Sequence, residues 1–391
     1  MRKVSDTIAR LRALRAQQNR HPVSFTSVDR LSTLENFGSN PGGLRARYYR
    51  PDDLAEGAPL VVILHGCTQN AVGYDYHSGW SQLAQQIGFG LLYPEQQRAN
   101  NPNLCFNWFL PGDTARDRGE VHSIRQMIET MVITYGLDRQ QIFVTGLSAG
   151  GAMAAAMLAT YPEVFAGGGI IAGLPFGCAT TIPEAFDRMR GHGGPSEQEL
   201  QRLVRKASMN NEQWPRISIW QGSADRTVAS VNAESIAAQW RGVHKLAKAP
   251  THSTSERGRS RQVWADEAGE VKIEINMIDG MGHGTPVGQG LGMAGPYMLD
   301  VGISSTQEIV QFWGLGDVDD ARASARARPA SPRLATPRTD MTPSAFHLRA
   351  ASKGQAKARP AEPVLDDLHG SRAQPLQKVI QDALRLAGLM E

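Results

Sequence analysis

Cysteine is scarce in this chain: Cys67, Cys105 and Cys178 are the only three in 391 residues, and no two form a C-x-x-C pair. That spacing excludes a zinc ribbon and a thioredoxin-like redox motif, and it allows at most one disulfide. Any run of about 18 apolar residues is also missing, so no membrane span is expected. No H-E-x-x-H occurs, and no P-loop lysine follows the glycines at 146–151. Gly290-Leu291-Gly292-Met293-Ala294-Gly295 matches G-x-G-x-x-G literally but follows a loop and runs into Pro296. The strand-glycine-helix setting of a dinucleotide site is therefore lacking, and no cofactor or metal is expected.

Acidic residues are nearly absent from 321–360, where nine Lys or Arg face the single Asp340. The formal net charge is +3, so with +8 in that segment the remainder carries 3 − 8 = −5. A mildly acidic globular part gives no reason to expect a nucleic-acid partner. The first twenty residues set Val4, Ile8, Leu11 and Leu14 at helical spacing among arginines, which predicts an amphipathic helix over 1–22. They have neither the apolar centre nor the cleavage site of a signal peptide, and on sequence alone this points to the cytoplasm.

Between 43 and 316 short apolar runs alternate with helix-like segments, the pattern of a mostly parallel α/β sheet covered on both faces. Strands are predicted at 43–49, 59–64, 88–93, 141–145, 167–172, 216–221 and 271–277, with the plainest helices at 119–135, 149–161 and 230–246. The long gaps at 94–140, 173–215 and 222–270 predict insertions above the sheet edge, with a small helical cap over 178–215. The expected catalytic domain spans 23–317. The Ala/Arg/Pro-rich stretch 318–374 reads as a disordered basic linker. It ends in an amphipathic helix over 375–391, which either docks on its own domain or anchors the chain to a hydrophobic polymer or granule surface.

Gly146-Leu147-Ser148-Ala149-Gly150 fits G-x-S-x-G between an apolar strand and a helix of small residues, the setting of a nucleophile elbow. In this fold an acid and then a histidine should follow the serine, each in a loop after a strand. Asp225 in GSADRTV and His283 in IDGMGHGT meet that order. Competing groups fit less well. His65, His77 and His122 precede the serine; His244 lies in a helical segment and His252 in a polar loop. Asp279 shares the loop of His283, and Asp266 is in a polar connector. The strand ending at His65-Gly66 brings the Cys67 N–H toward that of Ala149, a pair suited to an oxyanion hole, with the Cys67 side chain read as small and buried.

LVVILHGCTQNAVGYD, GLLYPEQQRANNPNLCFNWF, IFVTGLSAGGAM, GGGIIAGLPFGCA, WQGSADRTV and GMGHGTPVG, spanning about 59–288, together resemble the α/β-hydrolase esterases grouped with poly(3-hydroxybutyrate) depolymerases. Those enzymes are in turn similar to feruloyl and acetylxylan esterases. The resemblance implies Ser148 as nucleophile, His283 as base, Asp225 as its orienting acid, and Cys67 and Ala149 as oxyanion donors. It further implies a serine esterase acting on short-chain polyhydroxyalkanoate or its oligomers, with a feruloyl- or acetylxylan-type esterase as the alternative and an extracellular setting. A granule-binding protein without catalysis, or a peptidase using the same triad, are the readings from other classes. Phe106, Trp108 and Phe109 either hold an apolar acyl chain or pack under the cap. Cys105 and Cys178 lie in loops that both rise from the carboxyl edge of the sheet and are either bridged by a disulfide, which would favour an oxidising compartment, or left as free thiols.

Overall fold

The computed structural model describes residues 29–209, 213–256 and 258–316. The helices expected over 1–22 and 375–391 and the linker over 318–374 lie outside the described residues. The strands are β1 (Ser32–Thr33), β2 (Arg45–Tyr49), β3 (Leu60–Leu64), β4 (Gly90–Glu95), β5 (Ile142–Leu147), β6 (Gly167–Ile171), β7 (Arg216–Gly222), β8 (His252–Glu256), β9 (Arg259–Ala265), β10 (Val271–Ile278), β11 (Thr285–Val287) and β12 (Met298–Asp300). The α-helices are α1 (Ala71–Ser78), α2 (Trp80–Ile87), α3 (Pro111–Thr114), α4 (Gly119–Tyr135), α5 (Ala149–Thr160), α6 (Ile182–Met189), α7 (Glu197–Ala207), α8 (Val231–His244) and α9 (Ser305–Trp313).

Ten of the strands form one sheet in the order β1-β2-β4-β3-β5-β6-β7-β10-β9-β8. From β4 to β10 every neighbouring pair is parallel, and the edges on both sides are antiparallel. Every residue of β3, β5 and β6 is buried, as central parallel strands covered on both faces must be. Successive side chains point to opposite faces. Leu60, Val62, Leu64 and Val144 accordingly join the core with α4, α5 and α8, while Val61, Ile63, Phe143 and Leu147 join the one with α1, α2 and α9. Helix α5, AGGAMAAAMLAT, is buried on all sides and has no polar face to turn outward.

The seven predicted strands and three predicted helices are all present, with ends moved by one or two residues. The segment 178–215 supplies α6 and α7, and α7 lies against α8, where Gln201 Nε2 donates to Ala238 O at 3.1 Å. The reading of 222–270 as an insertion above the sheet edge is corrected. Beyond α8 it forms the β8–β9 hairpin, which extends the sheet past β10. Its apolar signal was weak because β8 is exposed at every residue and β9 carries Arg259 and Arg261, whose charges pair with Glu308 and Glu274. His252 thus sits on an exposed edge strand. No helix of the described residues is long and apolar enough to cross a membrane.

Candidate active site

Ser148 stands between the end of β5 and the first residue of α5 with φ 57° and ψ −117°, a conformation that L-residues rarely adopt. Strain of this kind costs on the order of 1–3 kcal/mol and persists only where the surroundings impose it. Here they do. The Ser148 N–H donates to Ile171 O at 2.9 Å, and its carbonyl accepts from the Ala152 N–H at 2.9 Å. A Cβ placed on Gly146 would overlap the Gly150 carbonyl and lie 2.8 Å from Leu64 O. One on Gly150 would overlap Leu64 O and lie 2.5 Å from His65 O. The two glycines therefore let the elbow close on itself and against the end of β3, whose next residues are His65, Gly66 and Cys67.

Strands β3, β5, β6, β7 and β10 are consecutive and parallel, so the loops that follow them share one sheet edge. Cys67, Ser148, Asp225 and His283 all lie in those loops. The loops after β7 and β10 are stitched together: the Ser223 N–H donates to Ile278 O (2.9 Å), the Ala224 N–H to Met281 O (3.0 Å), and the Gly280 N–H to Ser223 Oγ (2.8 Å). A side chain at Gly222 would lie 2.6 Å from Gly282 O, so this approach needs glycine.

Within that junction His283 Nδ1–H donates to Asp225 Oδ2 at 2.7 Å, and the Asp225 side chain is fully buried. The carboxylate is saturated by other donors. Oδ1 accepts from the N–H groups of Thr227 (2.8 Å) and Val228 (2.9 Å), and Oδ2 also accepts from Gln221 Nε2 (3.1 Å). Gln221 is fixed in turn by donating to Val228 O at 3.0 Å. The sequence reading missed Gln221, Thr227 and Val228, although an Asp two residues before a Thr is a recognisable Asx-turn signal. It also missed Tyr297, which meets the His283 ring edge-on with centroids 6.1 Å apart.

The other histidines have structural surroundings. His65 is fully buried, accepts the Gln96 N–H at Nε2 (3.1 Å) and packs against Phe106 with the rings tilted by 42° and centroids 5.0 Å apart; burial holds its pKa down. His244 is pushed down to about 4 by burial and donates from Nε2 to Pro215 O. His77 faces Met293 O, and His122 lies on α4 near Asp117. Asp279 is exposed, and Asp266 pairs with Lys272.

Two expectations are corrected. The disulfide joins Cys67 to Cys105, and Cys178 is a free, buried thiol whose pKa burial pushes up to about 12. Cys67 is therefore a bridge partner and not merely a small buried side chain. The reason lies in the adjacency of β3 and β4, which brings the loops after them together, while Cys178 turns into the core beside α6 and α7. Phe106 is fully buried against His65 and packs, whereas Trp108 keeps 8% of its surface and meets Phe109 edge-on. Neither the Cys67 N–H nor the Ala149 N–H has a backbone or side-chain acceptor among the described residues.

A parallel sheet in this order with a serine elbow after β5 is the α/β-hydrolase fold, and the comparison with solved structures agrees. An acetyl xylan esterase from Aspergillus awamori superposes with TM-score 0.64 at 24% identity, over 73% of this chain and 99% of that one. The family model described as Esterase PHB depolymerase matches residues 44–262. Poly(3-hydroxyalkanoate) depolymerase C of Paucimonas lemoignei is 43% identical over 299 residues, 75% of this chain and 72% of that protein. Feruloyl esterase B of Talaromyces stipitatus is 30% identical over 66% of this chain and 72% of its own length. Acetylxylan esterase of Coprinopsis cinerea is 30% identical over 68% and 72%. The chain belongs to the PHB depolymerase esterase family and is a carboxylic ester hydrolase.

Proposed function

We propose that the protein is a serine esterase that hydrolyses short-chain polyhydroxyalkanoate, such as poly(3-hydroxybutyrate) or its oligomers, through Ser148, His283 and Asp225. The contact that carries the reading is His283 Nδ1–H on a fully buried, hydrogen-bond-saturated Asp225, in loops that share a sheet edge with the strained Ser148. Asp225 then fixes the tautomer in which His283 Nε2 is free to accept a proton.

Ser148 Oγ attacks the ester carbonyl as Nε2 takes its proton, and the carbonyl oxygen becomes an oxyanion. The N–H groups of Cys67 and Ala149, which have no acceptor among the described residues, are the donors for that charge, aided by the positive end of α5. Collapse of the tetrahedral intermediate breaks the ester C–O bond. The imidazolium returns its proton to the departing alkoxide and leaves an acyl-serine. A water deprotonated by His283 repeats the addition, and the hydroxy acid leaves with Ser148 restored.

The polyester reading rests on the 43% identity to a poly(3-hydroxyalkanoate) depolymerase; a second reading, as a feruloyl- or acetylxylan-type esterase, rests on the 30% relatives. Release of 3-hydroxybutyrate from amorphous poly(3-hydroxybutyrate), with a short-chain nitrophenyl ester alongside, separates them. Polymer hydrolysis that disappears in Ser148→Ala is the expected result. Cleavage of the soluble ester alone moves the substrate to plant-wall esters. Retention of both by Ser148→Ala removes Ser148 as nucleophile, and no hydrolysis of either by the wild type favours a granule-binding protein.

A further inference from the structure

We propose that the Cys67–Cys105 disulfide is a positioning device for the reaction: it fixes the backbone turn that aims the Cys67 N–H at the oxyanion. The inference rests on the catalytic reading above and goes beyond it in giving Cys105 a role. Both cysteines sit beside strained backbone. Thr68 has φ 63° and Leu104 has φ 55°, left-handed conformations for two residues that are not glycine. Such conformations revert unless surrounding contacts hold them.

Those contacts are unevenly shared. The Cys105 side is anchored in a buried polar network. Gln96 Nε2 donates to Cys105 O (3.1 Å) and to Glu120 Oε1 (2.6 Å), and the Cys105 N–H donates to Asn101 Oδ1 (3.3 Å). The Asn107 N–H, two residues further, donates to Glu120 Oε2 at 2.8 Å. The Cys67 turn has less. Gly66 and Gln69 bond each other, Gly66 O also faces Nδ1 of the adjacent His65 (2.7 Å), Gln69 Nε2 makes only a long 3.5 Å contact with Pro296 O, Thr68 and Asn70 are exposed, and one backbone bond, Thr68 N–H to Asn103 O at 2.8 Å, reaches the Cys105 loop. The disulfide is the covalent link across this gap, with Cα atoms 4.2 Å apart, and it transfers the rigidity of the Cys105 loop to Cys67. Oxyanion stabilisation depends on donors already in place when charge develops, so a slack turn should lower turnover while leaving ground-state binding alone.

The test compares the full chain with its Cys67→Ala–Cys105→Ala double variant, which keeps the backbone N–H, on a soluble nitrophenyl ester well below either melting temperature. Loosening one donor, as against losing it, should lower kcat about 10- to 100-fold. KM should stay within about twofold. A trifluoromethyl ketone provides a readout that a merely structural role would not move. Ser148 Oγ adds to its carbonyl, the proton passes to His283 and the resulting oxyanion occupies the hole, so its Ki should rise by the factor by which kcat falls. Wild-type kcat in the double variant, with Ser148→Ala inactive, overturns the proposal; an active Ser148→Ala overturns the catalytic reading itself.

Should the double variant fail to fold, dithiothreitol on the wild type replaces it, the reagent being oxidised to its cyclic disulfide as the bridge becomes two thiols. A fall in kcat with an unchanged circular-dichroism spectrum is expected, and full kcat in reduced protein that shows three free thiols once unfolded overturns the proposal. Unfolded, unreduced protein should titrate one thiol, that of Cys178, and three would overturn the bridge.

Discussion

His283 and Asp225 meet through a 2.7 Å hydrogen bond in which the carboxylate has no freedom to move: two backbone N–H groups hold Oδ1, and Gln221 shares Oδ2. With the Gln221 bond to Val228 O, four bonds thus fix Asp225 within the end of β7 and its loop, and the fifth, to His283, joins it to the loop after β10. An acid held this firmly sets the ring orientation and tautomer of its histidine, a stronger requirement than proximity alone.

Asp225→Asn tests that requirement. Its Oδ1 would keep the Thr227 and Val228 donors, leaving the amide NH₂ against His283 Nδ1. Two donors cannot face each other, so the histidine proton moves to Nε2, where it cannot accept from Ser148. Turnover of a soluble ester at pH 7 is expected to fall about 10,000-fold. The melting temperature should move far less than in a variant that removes the Oδ1 acceptor, such as Asp225→Ala. Equal losses of stability in the two variants would argue against the orientation described.

The elbow glycines make a separate prediction. A methyl on Gly150 meets the carbonyl oxygens of Leu64 and His65, which belong to or adjoin a central strand and cannot withdraw. Gly150→Ala should therefore destabilise by at least about 3 kcal/mol in urea titration, the upper part of the overpacking range. Ala156→Gly, which loses one buried methyl besides the backbone-entropy change in the middle of the same helix, should cost about 2 kcal/mol. A larger loss at Ala156 than at Gly150 would contradict the packing of the elbow on β3.

The parallel sheet was legible because β3 (LVVIL) is an unbroken apolar run and β5 (IFVTGL) and β7 (RISIWQG) carry short apolar stretches between turn residues, as strands covered on both faces do. Ser148, Asp225 and His283 were legible for a related reason: each stands in a loop after a strand that the sequence predicts, in the chain order the fold requires. The β8–β9 hairpin was hidden, since edge strands can be polar on both faces and His252–Glu256 has no apolar period to detect. The disulfide partner was hidden too. Which loops touch depends on β4 lying beside β3 and not beside β6, a spatial order that spacing along the chain does not encode.

Phe106 and Trp108, read together from sequence, should separate in experiment. Phe106 is fully buried on His65, so Phe106→Ala is expected to cost about 3–5 kcal/mol of stability with kinetics per folded molecule unchanged. Trp108 retains exposed surface at the start of the turn that leads into α3. If it contacts the acyl chain, Trp108→Leu, which keeps an apolar group there, should raise KM for longer acyl esters more than for acetyl esters. A uniform effect on both chain lengths would assign Trp108 to packing.

Glu120 offers a prediction in pH. Its carboxyl is buried in the first turn of α4 and accepts from Gln96 Nε2, Asn100 Nδ2, Asn107 Nδ2 and the Asn107 N–H. Burial outweighs those donors and, with nearby Asp113, raises its pKa to about 8 from 4.5. A raised carboxyl pKa means that the folded protein holds the proton more tightly than the unfolded chain. Its contribution is therefore fully present below pH 4.5 and is lost as pH rises through 8, with a slope of at most about 1.4 kcal/mol per pH unit. His244 acts in the opposite sense over a lower window. Its pKa is depressed from 6.5 to about 4, so its stability cost grows as pH falls below 6.5 and leaves the range above that free. Urea unfolding between pH 6.5 and 9 isolates Glu120: wild-type stability should fall through this range, and Glu120→Gln, less stable at pH 6.5 because its amide faces donors, should show a flatter line that converges on the wild type by pH 9. Parallel lines would mean that the Glu120 carboxylate is ionised throughout, with its four donors prevailing over burial.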